Sequence, residues 1–313
     1  MARRVVALAG GVGAARFLSG LARVLPPEEL TVVVNTGDDR DFFGLRVCPD
    51  LDIVTYTLAG LVDRETGWGF EADTVHCLDA LRRLRGDVWF RLGDRDLATH
   101  IHRSERLRAG APLHQVAAEL ARAFGLAVEL LPMSDDPTPT RVVRRDGTRC
   151  DFEEYMVRDG APDDVAALDL SAAESARAAP GVLEALVGAQ TVIVCPSNPL
   201  VSIGTILAVP GVRAALESRH DAVSVSPIIA GAPVKGPADR LLRAAGAEVS
   251  ALGVARLYRG VCRGMVIDRR DAGLAREIEA LGLRVRAEET LMRTPEIAAG
   301  LARAVLELAG ARA

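Results

Sequence analysis

The chain opens on a short valine-rich run that breaks into glycines and then into an amphipathic helix, "VVALAGGVGAARFLSGLARVL" over residues 5–25. This order of strand, turn and helix limits what the rest can be. Similar runs recur at residues 30–34, 88–90, 127–131, 191–195, 222–225 and 283–286. They are short, branched and without strict polar alternation, the pattern of strands covered on both faces. Helical periodicity separates many of them, at residues 14–24, 72–84, 113–124, 211–217, 238–245, 272–281 and 295–308. The alternation predicts an α/β, Rossmann-like fold, a mostly parallel sheet wound on both faces by helices.

One stretch departs from this rhythm. Residues 140–158, "TRVVRRDGTRCDFEEYMVR", alternate around Asp146 and Gly147 and read as an antiparallel hairpin with a tight turn. Residues 159–181 are polar and rich in alanine and proline, as surface loop and short helices are. The expected division is a nucleotide-binding domain of residues 1–91 and 181–313 with a smaller inserted α+β subdomain at 92–180.

Composition removes several classes. At 313 residues and 49% hydrophobic, the chain can bury a large core. A net charge of -4 and 4% aromatic residues offer a polyanion neither a field nor stacking platforms, so nucleic acid is not an expected partner. The five cysteines are odd in number and scattered, matching neither a disulfide framework nor a zinc site, which fits a reducing cytoplasm. The apolar run after Arg3 and Arg4 is too short for a signal peptide, and no apolar stretch reaches bilayer length, so no membrane association is expected.

The chemistry lies in five clusters. In "AGGVGAARF", Gly10, Gly11 and Gly13 let the backbone turn sharply and bring N–H groups to an anion at the positive end of a helix. Arg16 could add a charge-assisted bond there. A turn kept only for packing is the plainer reading. The spacing is neither G-x-G-x-x-G nor G-x-x-x-x-G-K, so neither a dinucleotide oxidoreductase nor an ordinary NTPase is indicated. The second run leads into "NTGDDRDFFGLRVCPDLDIVTYTLAG", placing Asn35, Asp38, Asp39, Asp41, Asp50 and Asp52 beyond the carboxyl end of a strand, where open parallel sheets bind ligands. Carboxylates there suit Mg2+ shared with substrate phosphates. The alternative is a solvated loop in which Asp50 or Asp52 caps a helix.

In "WFRLGDRDLATHIHRSERLRAG", Arg91, Asp94 and Arg95 precede Asp96, His100 and Arg103, which can share one helix face. A solvated ion-pair helix or a packed histidine are the bland readings. A two-histidine zinc site fails because His100 and His102 point to different sides. Pro196, Ser197, Asn198 and Pro199 make a stiff polar loop that could hydrogen-bond a base or sugar, although the same residues are ordinary turn chemistry. "SPIIAGAPVKGPADRLL" repeats the arrangement, with Lys235 ahead of a helix begun by Pro237. No Ser-His-Asp or Cys-His nucleophile set is evident.

The blocks "GGVGAARFL", "NTGDD", "CPDLDIVTYTLAG", "GWGFEADT", "LGDRDLATHIHRS", "LPMSDDPTPT", "PSNPLVSIGTILAVPG" and "SPIIAGAPVKGPADRL", in this order, resemble the CofD family of 2-phospho-L-lactate transferases of deazaflavin coenzyme F-420 biosynthesis. The resemblance implies a homodimer, and phosphoryl-type transfer of the kind it implies calls for the Mg2+ that the acidic loop suits. Its reaction joins the terminal ribityl hydroxyl of the deazaflavin Fo to a phosphorus of a guanosine diphosphate conjugate, and GMP leaves. By position it implies Asp52 and Arg91 as Fo contacts. Asp38 with Asp52 is our choice for Mg2+, and Asp38 or Asp39 for the carboxylate that takes the hydroxyl proton. Gly11 and Gly13 are assigned to the donor diphosphate, Ser197 and Asn198 to the nucleotide. "GGVGAARFL" and "NTGDD" stand nearer the bacterial branch, whose donor carries phosphoenolpyruvate, than the archaeal branch, whose donor carries phospholactate. The competing class is a non-enzymatic regulator of the same superfamily that binds nucleotide sugars. That branch lacks the "PDLDIVTYTLAG" and "LGDRDLATHI" blocks, which favours the enzyme.

Overall fold

The computed structural model describes residues 5–310; Arg3 and Arg4 lie outside them. Seven parallel strands form the central sheet: β1 (Val5–Ala9), β2 (Leu30–Val34), β3 (Glu129–Pro132), β4 (Thr191–Val194), β5 (Val223–Val225), β6 (Gly264–Asp268) and β7 (Arg284–Glu288). Their spatial order is β3-β2-β1-β4-β5-β6-β7. This is the doubly wound dinucleotide-fold order with one strand added, so the chain has the expected Rossmann-like α/β architecture. The order reverses between β1 and β4, and the crevice beyond their carboxyl ends is where such sheets bind ligands.

Strand β1 shows why polar alternation was missing. Val6 and Leu8 pack into the core on one face of the sheet, while Val5, Ala7 and Ala9 pack into the core on the other. All five residues are buried, as a strand with helices on both sides requires.

Several expectations need correction. Residues 88–90 form no strand; Trp89 and Phe90 close on Phe42, whose ring stacks on Phe90 at 3.8 Å between centroids. Aromatic packing there replaces strand pairing. The inner strand β6 was not expected. Its sequence, "GMVID", is a brief run bounded by charged residues, and burial on both faces identifies it. Asp146 and Gly147 do turn a hairpin, between Arg141–Arg144 and Arg149–Asp151. A third strand, Val165–Asp169, pairs with the first, so residues 159–181 are not only loop and short helix. The segment 92–180 divides, because β3 takes an edge of the central sheet beside β2 while the three-stranded unit builds its own small core around Val142, Phe152 and Tyr155.

Two helices carry the first loops of the site. α1 (Gly11–Leu21) follows β1, and α2 (Pro49–Leu58) packs beside it. α1 also lies so close to the C-terminal helix Pro295–Ala309 that a Cβ on Gly20 would collide with the backbone carbonyl of Ala298. We expect Gly20→Ala to push these helices apart and destabilise the protein by about 2 kcal/mol. A urea midpoint unchanged from the parent would show that the helices separate freely.

Candidate active site

A cleft of about 610 Å³ opens over the carboxyl ends of the strands. Its centre is a group of buried carboxylates gathered by one amide. Asn35, which follows β2 and is fully buried, donates from Nδ2 to Asp50 Oδ2 at 2.9 Å and to Asp38 Oδ2 at 3.3 Å, while its Oδ1 accepts the Gly37 N–H. Asp50 Oδ1 accepts the Gly11 N–H at 2.7 Å. Asp50 therefore caps the start of α1, not its own helix, and stands where the expected phosphate would have met Gly11. Gly10 admits it, since a Cβ there would lie 2.6 Å from Asp50 Oδ2.

The cost of this arrangement is electrostatic. Burial first, then the charges of Asp50, Glu153 and Asp39, holds the Asp38 carboxyl well above the usual carboxylate range. Burial pushes Asp50 up to about 6 against the bonds from Asn35 and Gly11. Glu153, delivered by the inserted unit, is pushed up to about 8 by burial and then by Asp50, with Arg40 opposing. Asp38 Oδ1 is buried and has no hydrogen-bond partner among the described residues. Three crowded carboxylates and one unpartnered oxygen suit a cation. No ready-made group of three ligand side chains converges on a metal position among the described residues. A divalent ion would need one or two carboxylates and substrate oxygens together, as Mg2+ commonly does.

The floor is built differently. Asp52, on α2, receives both terminal nitrogens of Arg103, and Arg103 is 1% exposed. Arg103 lies on α3 (Asp94–Arg108) with Asp96 and His100, and all three are buried, which rules out the solvated ion-pair face. His100 Nδ1 is 3.2 Å from Arg103 Nη1, and the Tyr56 hydroxyl donates to Asp96 Oδ1 at 2.8 Å. Asp39 turns away from the cleft toward Cys48 and Arg103. Burial pushes it up to about 8 against the Cys48 bond and the Arg103 and Arg46 charges.

The walls supply cations and aromatic rings. Arg16 from α1 faces Lys235 from the far side of the sequence, and burial together with the Arg16 charge lowers the Lys235 pKa with no carboxylate opposing. The Lys235 ammonium donates to the Thr66 carbonyl at 2.6 Å. Both tryptophans of the chain line the cleft, with the Arg91 guanidinium 5.7 Å from the Trp68 ring centre.

Of the residues singled out from sequence, Gly11, Gly13, Asp38, Asp52, Arg91, Ser197 and Asn198 line this one cleft, and Asp39 does not. Three roles change. Asp52 is committed to Arg103, so a cation beside it would compete with a buried guanidinium. Gly11 has given its N–H to Asp50. Gly13 faces a packing constraint, since a Cβ there would lie 2.5 Å from the Pro196 carbonyl oxygen. Ser197 Oγ accepts the Gly10 N–H at 3.1 Å, and Asn198 Oδ1 accepts from Leu200 and Val201, so both also brace their loop. Sequence reading passed over Glu153, Trp68 and Trp89. Each lies in a segment whose approach to the sheet is set by long-range packing.

The chain matches the family model described as 2-phospho-L-lactate transferase CofD over residues 5–294. It is 48% identical over 312 residues to a phosphoenolpyruvate transferase of Streptomyces griseus, covering 98% of each chain. It is 41% identical over 304 residues to a 2-phospho-L-lactate transferase of Methanosarcina acetivorans, covering 97% of this chain and 98% of that one. Among solved structures, a UPF0052-family protein of Bacillus halodurans superposes with a TM-score of 0.63 at 15% identity, covering 98% of this chain and 99% of that one, a likeness of fold. Among the described residues no helix is long and apolar enough to cross a membrane, and all five cysteines are free.

Two outcomes follow from this geometry. Asp52→Ala strands the Arg103 charge in the interior and should cost about 3–5 kcal/mol in urea unfolding, with the Arg103→Met partner change restoring much of it. Parent-like stability of the single variant would show that Arg103 finds solvent. The folded state also holds the Glu153 and Asp39 protons to higher pH than the unfolded chain. Their contribution to stability is complete below about pH 4 and is lost as pH rises through about 8. Glu153→Gln should then melt above the parent at pH 8 and level with it at pH 4, in metal-free buffer. Equal melting at both pH values would remove Glu153 from the cluster.

Proposed function

This chain belongs to the 2-phospho-L-lactate transferase CofD family, and we propose that it moves a phosphoenolpyruvyl group from a guanosine diphosphate conjugate to the deazaflavin Fo. The step forms a bond between the terminal ribityl oxygen and the phosphorus bearing the enolpyruvyl group. The bond from that phosphorus to the bridging oxygen breaks, GMP leaves with the electron pair, and the hydroxyl proton passes to a carboxylate. The identity to relatives named phosphoenolpyruvate transferase favours the enolpyruvyl donor over the phospholactyl one.

The observation that carries this reading is the pairing, on one cleft, of the Arg16 and Lys235 cations with the Asp38, Asp50 and Glu153 carboxylates. A diphosphate bridging these two sets meets positive charge on one side and needs a cation on the other, where Asp50 occupies the start of α1. Mg2+ held by Asp38 and Asp50 would neutralise the diphosphate there and so favour departure of GMP. Asp52 is not retained as a ligand. Arg16 and Lys235 hold the diphosphate in place of the Gly11 N–H, and the loop of Ser197 and Asn198 takes the nucleotide. The proton acceptor is a carboxylate that faces the cleft, which favours Asp38 over Asp39 and adds Glu153. Trp68 with Arg91 on one wall and Trp89 on another offer a flat, partly polar ring system apolar faces and a cation.

The test is a mass-spectrometric assay of the purified protein with Mg2+, Fo and each guanosine diphosphate conjugate in turn. GMP and a heavier deazaflavin should appear together, faster with the enolpyruvyl donor. No product from either donor and no Fo binding would overturn the reading in favour of a nucleotide-sugar regulator. Lys235→Ala and Arg16→Ala should each raise the donor KM about tenfold or more, with little change for Fo. Equal effects on both substrates would separate these cations from the diphosphate.

A further inference from the structure

One polar hydrogen in the cleft floor has no role in the chemistry described above. His100 lines the cleft and is 1% exposed. Its Nδ1 lies 3.2 Å from Arg103 Nη1. A guanidinium only donates, so Nδ1 accepts and the ring hydrogen of the imidazole sits on Nε2. Arg103 cannot turn to release this tautomer, because its two terminal nitrogens are held by Asp52.

Nε2 is buried and has no hydrogen-bond partner among the described residues. Asp96 Oδ1 is 3.2 Å away but out of hydrogen-bonding line, and it already accepts from the Tyr56 hydroxyl. An N–H left unpaired in a buried floor costs free energy until an acceptor atom reaches it. A site that carries such a group discriminates strongly in favour of ligands that supply the missing atom. Tyr56, the partner of Asp96, also lines the cleft, so the His100 edge lies in the same part of the floor as a ligand entering over it.

We propose that His100 is a specificity residue for the acceptor molecule: its Nε2–H donates to a carbonyl or hydroxyl oxygen of the bound deazaflavin. The assignment rests on the Fo reading of the cleft. Asp52, Arg103 and His100 then act in series. The carboxylate fixes the guanidinium, the guanidinium fixes the tautomer, and the tautomer presents one hydrogen to the ligand.

Substitution separates the two ring nitrogens. In His100→Asn the amide oxygen can replace Nδ1 as the acceptor for Arg103, but nothing reaches the Nε2 position. In His100→Gln the longer side chain can return an N–H there. Titration of deazaflavin fluorescence should show Fo binding weakened about tenfold or more in the Asn variant and within about threefold of the parent in the Gln variant. Binding of guanosine diphosphate should be unchanged in both. An Asn variant that binds Fo like the parent, or that loses Fo and guanosine diphosphate alike, overturns the role. If the parent itself does not bind Fo, the deazaflavin reading falls and this role with it. Should the Asn variant fail to fold, nitrogen-15 NMR of the parent decides. The Nε2-bound proton should be seen without ligand and shift on addition of Fo, and an unmoved resonance overturns the proposal.

Discussion

Much of the site depends on the bond from the Gly11 N–H to the Asp50 carboxylate. In a doubly wound sheet the first helix after the first strand normally offers its N-terminus to a ligand phosphate. Here a carboxylate from the next helix holds that position, and Asn35 ties it to Asp38. The N–H at the start of α1 is therefore satisfied from within the protein, and a seat of carboxyls stands where an open helix end would be. The same constraint makes Gly10 irreplaceable by any residue with a side chain, because Asp50 and Ser202 crowd its α-carbon.

Beneath this seat a second charge arrangement serves a different purpose. Asp38, Asp50 and Glu153 are crowded carboxyls that burial and mutual repulsion hold in their protonated forms to higher pH. Asp52 and Arg103 are opposite charges matched oxygen to nitrogen, and they gain nothing from a further ion. Two carboxylates two residues apart on α2 thus belong to different halves of the machine. Asp50 faces α1 and the seat, and Asp52 faces α3 and the floor.

This division explains what the sequence made legible and what it did not. The parallel sheet could be read from β1, β2 and β4, whose near-continuous apolar, valine-rich character follows from burial on both faces. The hairpin could be read from Asp146 and Gly147, because a local turn carries its own chemistry. The short inner strand β6 could not, since its five residues are defined by neighbours far away in sequence. Within the site, Asp38 and Asp52 could be picked out as carboxylates beyond a strand end, but their protein partners could not. Nothing local to "PDLD" says that one aspartate will meet a glycine N–H 39 residues earlier and the other an arginine 51 residues later. Glu153 was invisible for the same reason. It enters the cleft because the inserted unit packs Phe152 and Tyr155 into a core and, of the two glutamates between them, leaves Glu153 facing the cleft while Glu154 pairs with Arg40.

The low aromatic content also acquires meaning from the fold. Only 4% of residues are aromatic, which argued against an extended stacking surface for nucleic acid. Yet Tyr56, Trp68, Trp89, Phe90 and Phe152 all line the one cleft. Aromatic rings provide large contact area at small entropic cost, and concentrating them at one opening makes that opening selective for a flat ligand. The rings are not left purely apolar, since Arg91 lies over Trp68 and Arg40 and Arg158 lie over Trp89. A ligand that is planar, electron-rich and polar at its edges gains from both features at once, whereas an aliphatic chain gains only from the first. Rings and charge are not segregated here, since Lys235 bonds the Thr66 carbonyl two residues from Trp68, so aromatic surface and cations are presented side by side around the carboxylates.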